Sequence, residues 1–136
     1  MVGVLLVTHQ DFGEKLLQAA EGILGTQEGC SAVSVSVSSE MEEVMHMINQ
    51  GVQDVDTGQG VIVITDMFGG TPSNLSLSLL GSGRLEVITG ANLPMLLKIL
   101  SCREMPLEDL ALEAKSAGRQ GILVAGEVLK RKIANG

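Results

Sequence analysis

The sequence predicts an α/β protein, a small open parallel sheet covered by helices on both faces, as a single domain over residues 1–136. Two observations carry that expectation. Apolar runs such as "VLLV" at 4–7 and "GVIVIT" at 60–65 lack the polar alternation of a half-solvated strand, so both faces of their sheet must be covered. Stretches of helical period separate these runs, and strands alternating with helices imply βαβ units with right-handed crossovers.

Residues 2–8 are the first strand. From Asp11 the period changes: Phe12, Leu16, Ala19, Ile23 and Leu24 fall near one helical stripe, with Gly25 as the stop. Residues 32–37 alternate Val with Ser, a second strand. Residues 40–55 form an amphipathic helix with Met41, Val44, Met45, Ile48 and Val52 inward. Residues 60–65 are the third strand, and the turn "DMFGGTP" leads into a short helix over 72–80. "RLEVIT" is the fourth strand, "GANLP" a turn, and 93–102 a helix. A further helix runs from Pro106 to about residue 117, where Gly118 and Gly121 interrupt the pattern. The tail "ILVAGEVLKRKIANG" fits either strand or helix, which leaves room for an antiparallel C-terminal edge strand.

Composition narrows the function. The chain is 45% hydrophobic and 18% charged, which suits a folded core and not a disordered segment. Its net charge of −7 argues against a nucleic-acid surface, since nothing basic enough is present to neutralise phosphates. Two phenylalanines, with no Trp or Tyr, make a poor base-stacking platform. No apolar run reaches membrane-spanning length and the first residues lack a signal-peptide pattern, so a cytoplasmic location is expected. Cys30 and Cys102 match neither a disulfide framework nor a zinc pattern and read as reduced, packed thiols; no metal or other cofactor is implied.

The chemistry collects at strand ends. In open α/β sheets ligands gather beyond the carboxyl ends of the strands, where strand order reverses. If strands one and three are neighbours, His9 and Asp66 emerge side by side. A carboxylate beside an imidazole fixes its tautomer and favours the cationic ring formed in nucleophilic attack. In "GGTPSN", Thr71 suits the N-cap and Pro72 the first helical position. The N–H groups of Ser73 and Asn74 are then expected to be free for an anion, and Gly69 and Gly70 let the backbone come close to it. An ordinary capped helix would use the same residues. No Walker sequence is present and no G-x-G-x-x-G follows the first strand, which disfavours a nucleotide enzyme. His46, inside "MEEVMHMINQ" on the second helix, has no matching motif around it and reads as a partly exposed helical histidine.

The motifs "LLVTHQDFGE", "VIVITDMFGGTPSNLS" and "VITGANLPML", in this order, give the chain a resemblance to a known family. It resembles the IIA domain of the mannose-type bacterial phosphoenolpyruvate-dependent sugar phosphotransferase system (PTS) over most of its length, to about residue 117. The resemblance implies a phosphotransferase in which His9 accepts phosphate from the phosphocarrier HPr and passes it to a IIB component, with Asp66 orienting the ring. Association with membrane components would then be peripheral, through IIB. It also implies a homodimer built by exchange of an antiparallel fifth strand, for which "GILVAGEVL" is the counterpart. Gln10 stands where the family usually carries glycine, and the chain ends without a fused IIB domain, as a separate subunit would. A regulatory phosphoacceptor, a phosphocarrier subunit serving dihydroxyacetone kinase and a noncatalytic anion-binding module remain alternatives.

Overall fold

The computed structural model describes residues 1–81 and 84–135. Among these the chain forms four strands and six helices: β1 Gly3–His9, α1 Phe12–Leu24, β2 Cys30–Val35, α2 Met41–Val55, β3 Val61–Thr65, α3 Thr71–Leu77, β4 Leu85–Thr89, α4 Leu93–Ser101, α5 Leu107–Gln120 and α6 Ala125–Ala134. The strands make one sheet in the order β2-β1-β3-β4, and all three pairings are parallel. The expected α/β architecture is thus present, and β1 lies beside β3.

Alternation along the strands sorts the core into two layers. Val2, Val4, Leu6, Ile62 and Ile64 face α1, α4 and α5, packing with Ala20, Leu96, Ile99 and Leu110. Leu5, Val7, Val61 and Val63 face α2 and α3, packing with Val44, Ile48 and Leu75. The central strands are sealed on both sides, which accounts for their unbroken apolar sequence. Each such side chain, fully buried, contributes roughly 1.5–3 kcal/mol relative to exposure.

Several boundaries and faces differ from the sequence expectation, each for a local reason. β2 begins at Cys30, two residues earlier than expected, because Cys30 pairs with Val4; Val37 lies beyond the ladder and is fully exposed. α1 turns a different face inward. Its buried residues are Gly13 and Ala20, with Leu16 and Leu17 half-buried, while Phe12, Ala19, Ile23 and Leu24 are exposed. Small residues let the helix close on β1: a Cβ on Gly13 would lie 3.0 Å from both Leu6 Cβ and Thr8 Oγ1. α5 runs through Gly118 because that glycine sits under Met95, where a Cβ would come within 3.1 Å of the thioether methyl. The tail is helical from Ala125, and α6 buries none of its residues; residues 122–124 form no strand within the single chain.

A buried arginine ties the amino ends of the strands together. Arg103 donates from Nε to the Val2 carbonyl (2.9 Å) and from its two terminal nitrogens to the carbonyls of Glu28 and Gly29. Main-chain oxygens thus satisfy a desolvated guanidinium that has no carboxylate partner among the described residues. Burial pushes the nearby Cys30 thiol above its ordinary value, only partly offset by the Arg103 charge, consistent with a packed, unreactive thiol.

Candidate functional site

His9 is the last residue of β1, and Asp66 directly follows β3. Because β1 leads to β2 on one side and pairs with β3 on the other, this is where strand order reverses. One carboxylate oxygen, Asp66 Oδ2, accepts both the His9 backbone N–H (3.0 Å) and the His9 ring at Nδ1 (2.8 Å). The other, Oδ1, accepts the Met67 N–H at 3.1 Å. Partial burial raises the Asp66 carboxyl, but the hydrogen bonds from the His9 backbone and ring, with the ring's charge, outweigh it and hold the group below the ordinary carboxylate value. An ionised Asp66 accepts only, so Nδ1 carries the hydrogen of this bond, and in the neutral ring the lone pair lies on Nε2.

Nε2 faces the glycine turn. A Cβ on Gly70 would stand 2.8 Å from His9 Cε1 and 3.3 Å from Nε2, so the ring lies against bare backbone. Gly69 holds φ at 91°, a left-handed conformation natural to glycine. Gln10 does the same at φ 51° and is the only non-glycine residue with positive φ among those described. Its N–H still reaches the Val35 carbonyl of β2 at 2.9 Å, and the positive φ then takes the chain off the end of β1. The glycine customary in the resembled family fits this conformation without strain; Gln10 adopts it against its Cβ. Thr8, fully buried, accepts the Gly13 N–H on Oγ1 at 2.7 Å and so fixes the start of α1 beside His9.

The expected anion cradle needs correction in detail. Gly70, not Thr71, occupies the N-cap: the Gly70 carbonyl accepts the Asn74 N–H at 2.9 Å, which makes Thr71 the first helical residue and gives Asn74 N–H an intrahelical partner. Thr71 makes no side-chain cap bond and is exposed. The N–H groups of Thr71 and Ser73 have no partner among the described residues. The Ser73 hydroxyl is buried without a partner, as is that of Thr65. The structure therefore brings His9, Asp66 and Gly70 together and leaves Thr71 and Asn74 exposed on the same turn, while the Ser73 side chain is sealed from solvent. His46 is exposed on α2, away from any such partners. No group of three or more His, Cys, Asp or Glu side chains among the described residues is arranged to hold a metal.

Comparison with known proteins shows the family and the fold. A family model for the PTS system fructose IIA component matches residues 3–114. The chain belongs to the mannose/fructose EIIA family of the PTS. It is 31% identical to the fructose-specific EIIA component of Bacillus subtilis (strain 168), across 99% of this chain and 94% of that one. It is also 31% identical to the mannose-specific EIIAB component of Escherichia coli (strain K12), covering 89% of this chain but 38% of that longer protein. Among solved structures, the EIIA component from Streptococcus agalactiae superposes with a TM-score of 0.85 at 26% identity, covering 93% of this chain and 99% of that one. The mannose/sorbose-specific IIA subunit from Enterococcus faecalis shares the fold, with a TM-score of 0.83 at 20% identity over 90% of this chain and 93% of that one. Members of this EIIA family are phosphotransferases of the PTS and work with its other proteins. No helix among the described residues is long and apolar enough to cross a membrane.

The resemblance seen in the sequence thus holds. Sequence reasoning misjudged Phe12, expected inside and found at the surface beside His9. The scarcity of aromatic residues was the available signal.

Proposed function

We propose that this protein is a IIA phosphocarrier that takes a phosphoryl group from phosphorylated HPr onto Nε2 of His9 and passes it to a IIB component. The observation that carries the reading is the Asp66 contact at 2.8 Å, which commits Nδ1 to the carboxylate and leaves Nε2 as the nucleophile. In the forward step Nε2 attacks phosphorus as the N–P bond to the donor imidazole breaks, and the electron pair of that bond returns to the donor nitrogen. The product ring, protonated at Nδ1 and phosphorylated at Nε2, is cationic, and Asp66 balances that charge. Reversing the attack on a IIB acceptor frees Nε2 again.

The turn against the ring supports the same role. The unbonded N–H groups of Thr71 and Ser73 and the exposed Thr71 hydroxyl and Asn74 amide are donors suited to phosphoryl oxygens, and glycines at 69 and 70 leave room for them. The work takes place in the cytoplasm, with the protein as a homodimer meeting membrane components only through IIB. Sugar choice lies with those components, although relatives are named for fructose, mannose and sorbose. Incubation with phosphorylated HPr should give one acid-labile phosphohistidine, mapped to His9 by mass spectrometry and absent from His9→Ala. Label that persists in His9→Ala would reject the assignment. Recovery of the phosphate on a IIB partner separates transport from a purely regulatory role.

A further inference from the structure

The strain at Gln10 has no offsetting contact in the free protein. Its backbone is pinned from both sides, by the bond to Val35 and by α1, which starts at Phe12. Its carboxamide is exposed and makes no hydrogen bond among the described residues. A non-glycine residue held at positive φ points to a role for its side chain, because glycine would take the same turn freely. Gln10 shares an open depression of about 450 Å³ with His9, Asp11, Phe12 and Lys15. The end of β1 and α1 form this depression, so it meets the histidine on a different flank from the glycine turn. Lys15 is exposed there and makes no ion pair among the described residues, not even with Asp11 one helical turn before it. In a chain of net charge −7 it is also the only lysine or arginine before Arg84, which precedes β4 at the opposite end of the sheet. The first basic side chain of the sequence therefore stands at the histidine.

We infer that Gln10 and Lys15 hold the phosphoryl group from the α1 side, the carboxamide donating to one of its oxygens and the ammonium offsetting its charge. This rests on the carrier reading of His9. On transfer the N–P bond to the donor breaks, a new one forms at Nε2, and the group brings roughly 1.5–2 negative charges at neutral pH. Asp66 already matches the cationic ring, and the donors on the α3 turn are neutral. The loaded site thus carries excess negative charge unless a cation stands beside it, and Lys15 lines the same depression as the ring. Lys115 and Arg119, also at this end of the sheet, line a separate depression by the end of β4. The Gln10 carboxamide adds a hydrogen bond to an ionised acceptor, the stronger kind.

The test reads an equilibrium constant, that for phosphoryl exchange between HPr and the full-length chain. This constant depends on the separated species alone, so a contact made only to the donor protein alters rates and leaves it unchanged. Gln10→Gly and Lys15→Gln should each lower it about five-fold, read by mass spectrometry of both proteins at equilibrium. In about 1 M salt the Lys15→Gln effect should vanish while the Gln10→Gly effect remains, since screening acts on separated charges. A constant unchanged in one variant would strike that residue from the site, and one unchanged in both would overturn the proposal with the carrier intact. Slower approach to the wild-type constant would make the pair a contact for HPr, which also overturns it. Wild-type protein labelled neither by phosphorylated HPr nor by phosphoramidate, a small phosphoryl donor, would instead overturn the carrier reading.

Discussion

Gln10 is a residue under local strain next to a reactive one. At φ 51° its Cβ opposes the backbone at a cost of roughly 1–2 kcal/mol, part of which glycine would return as extra freedom in the unfolded chain. Gln10→Gly should therefore raise stability by about 0.5–1 kcal/mol, read as a higher urea midpoint. A lower midpoint would mean that the glutamine side chain makes up for the strain. Asp66 invites a second test, in which pH is the variable. Its carboxyl titrates below the ordinary value of 3.8, so folding favours the ionised form. The stabilisation is fully present above the unfolded value and is lost as pH falls through the lower folded value. The stability difference between wild type and Asp66→Asn should accordingly stay constant from neutral pH down to the ordinary carboxylate range and shrink only below it, as followed by urea midpoints across that span. At neutral pH the same substitution should slow phosphotransfer by tens to thousands of fold, the range for orienting groups. Unaltered transfer would remove Asp66 from the mechanism.

At the level of elements, α3 shows what a helix start can do without a side-chain cap. Thr71 is its first residue, with no cap bond, so Thr71→Ala should shift stability by no more than about 0.5 kcal/mol, the surface norm. The roughly 1 kcal/mol expected of a true cap should not appear. Phosphorylation of His9 by HPr should nevertheless slow, and calorimetry beside transfer kinetics would show both; a loss of about 1 kcal/mol with normal kinetics would return Thr71 to a structural role. β1 and β3 were legible because each is an unbroken apolar run sealed on both faces. The His9–Asp66 pairing was legible too, since strand-order rules place β1 beside β3, and the register Val7↔Thr65 sets Asp66 within one position of His9. The face of α1 was not, because periodicity weighs hydrophobicity, whereas contact with β1 demands smallness at Gly13. The positive φ of Gln10 left no trace in its own side-chain type; only its departure from the family glycine hinted at it. Arg103 gave no signal at all, since its partners are carbonyls brought from residues 2, 28 and 29 by the fold.

The whole molecule is incomplete at one side. β4 is an outer strand of the sheet, its residues only half-buried, and a parallel sheet left open in this way presents unpaired main-chain groups. The same chain carries Ile122, Leu123 and Val124, all exposed, and α6, with Leu129 and Ile133 exposed and no residue buried. The tail buries no residue against its own subunit, and we propose that the exchange implied by the family resemblance covers both surfaces. Residues 122–124 of one copy would add to β4 of the other, and by two-fold symmetry each tail would cover one edge. α5 ends at Gln120 with Gly121 as its C-cap, where a Cβ would stand 2.6 Å from the Pro94 ring, so a chain cut after Gly121 keeps every packed element. Full-length protein at micromolar concentration should scatter light as a dimer, and the cut form as a monomer that still takes phosphate on His9. A monomeric full-length protein would sink the exchange, and a dimer that survives the cut would place the interface on another face.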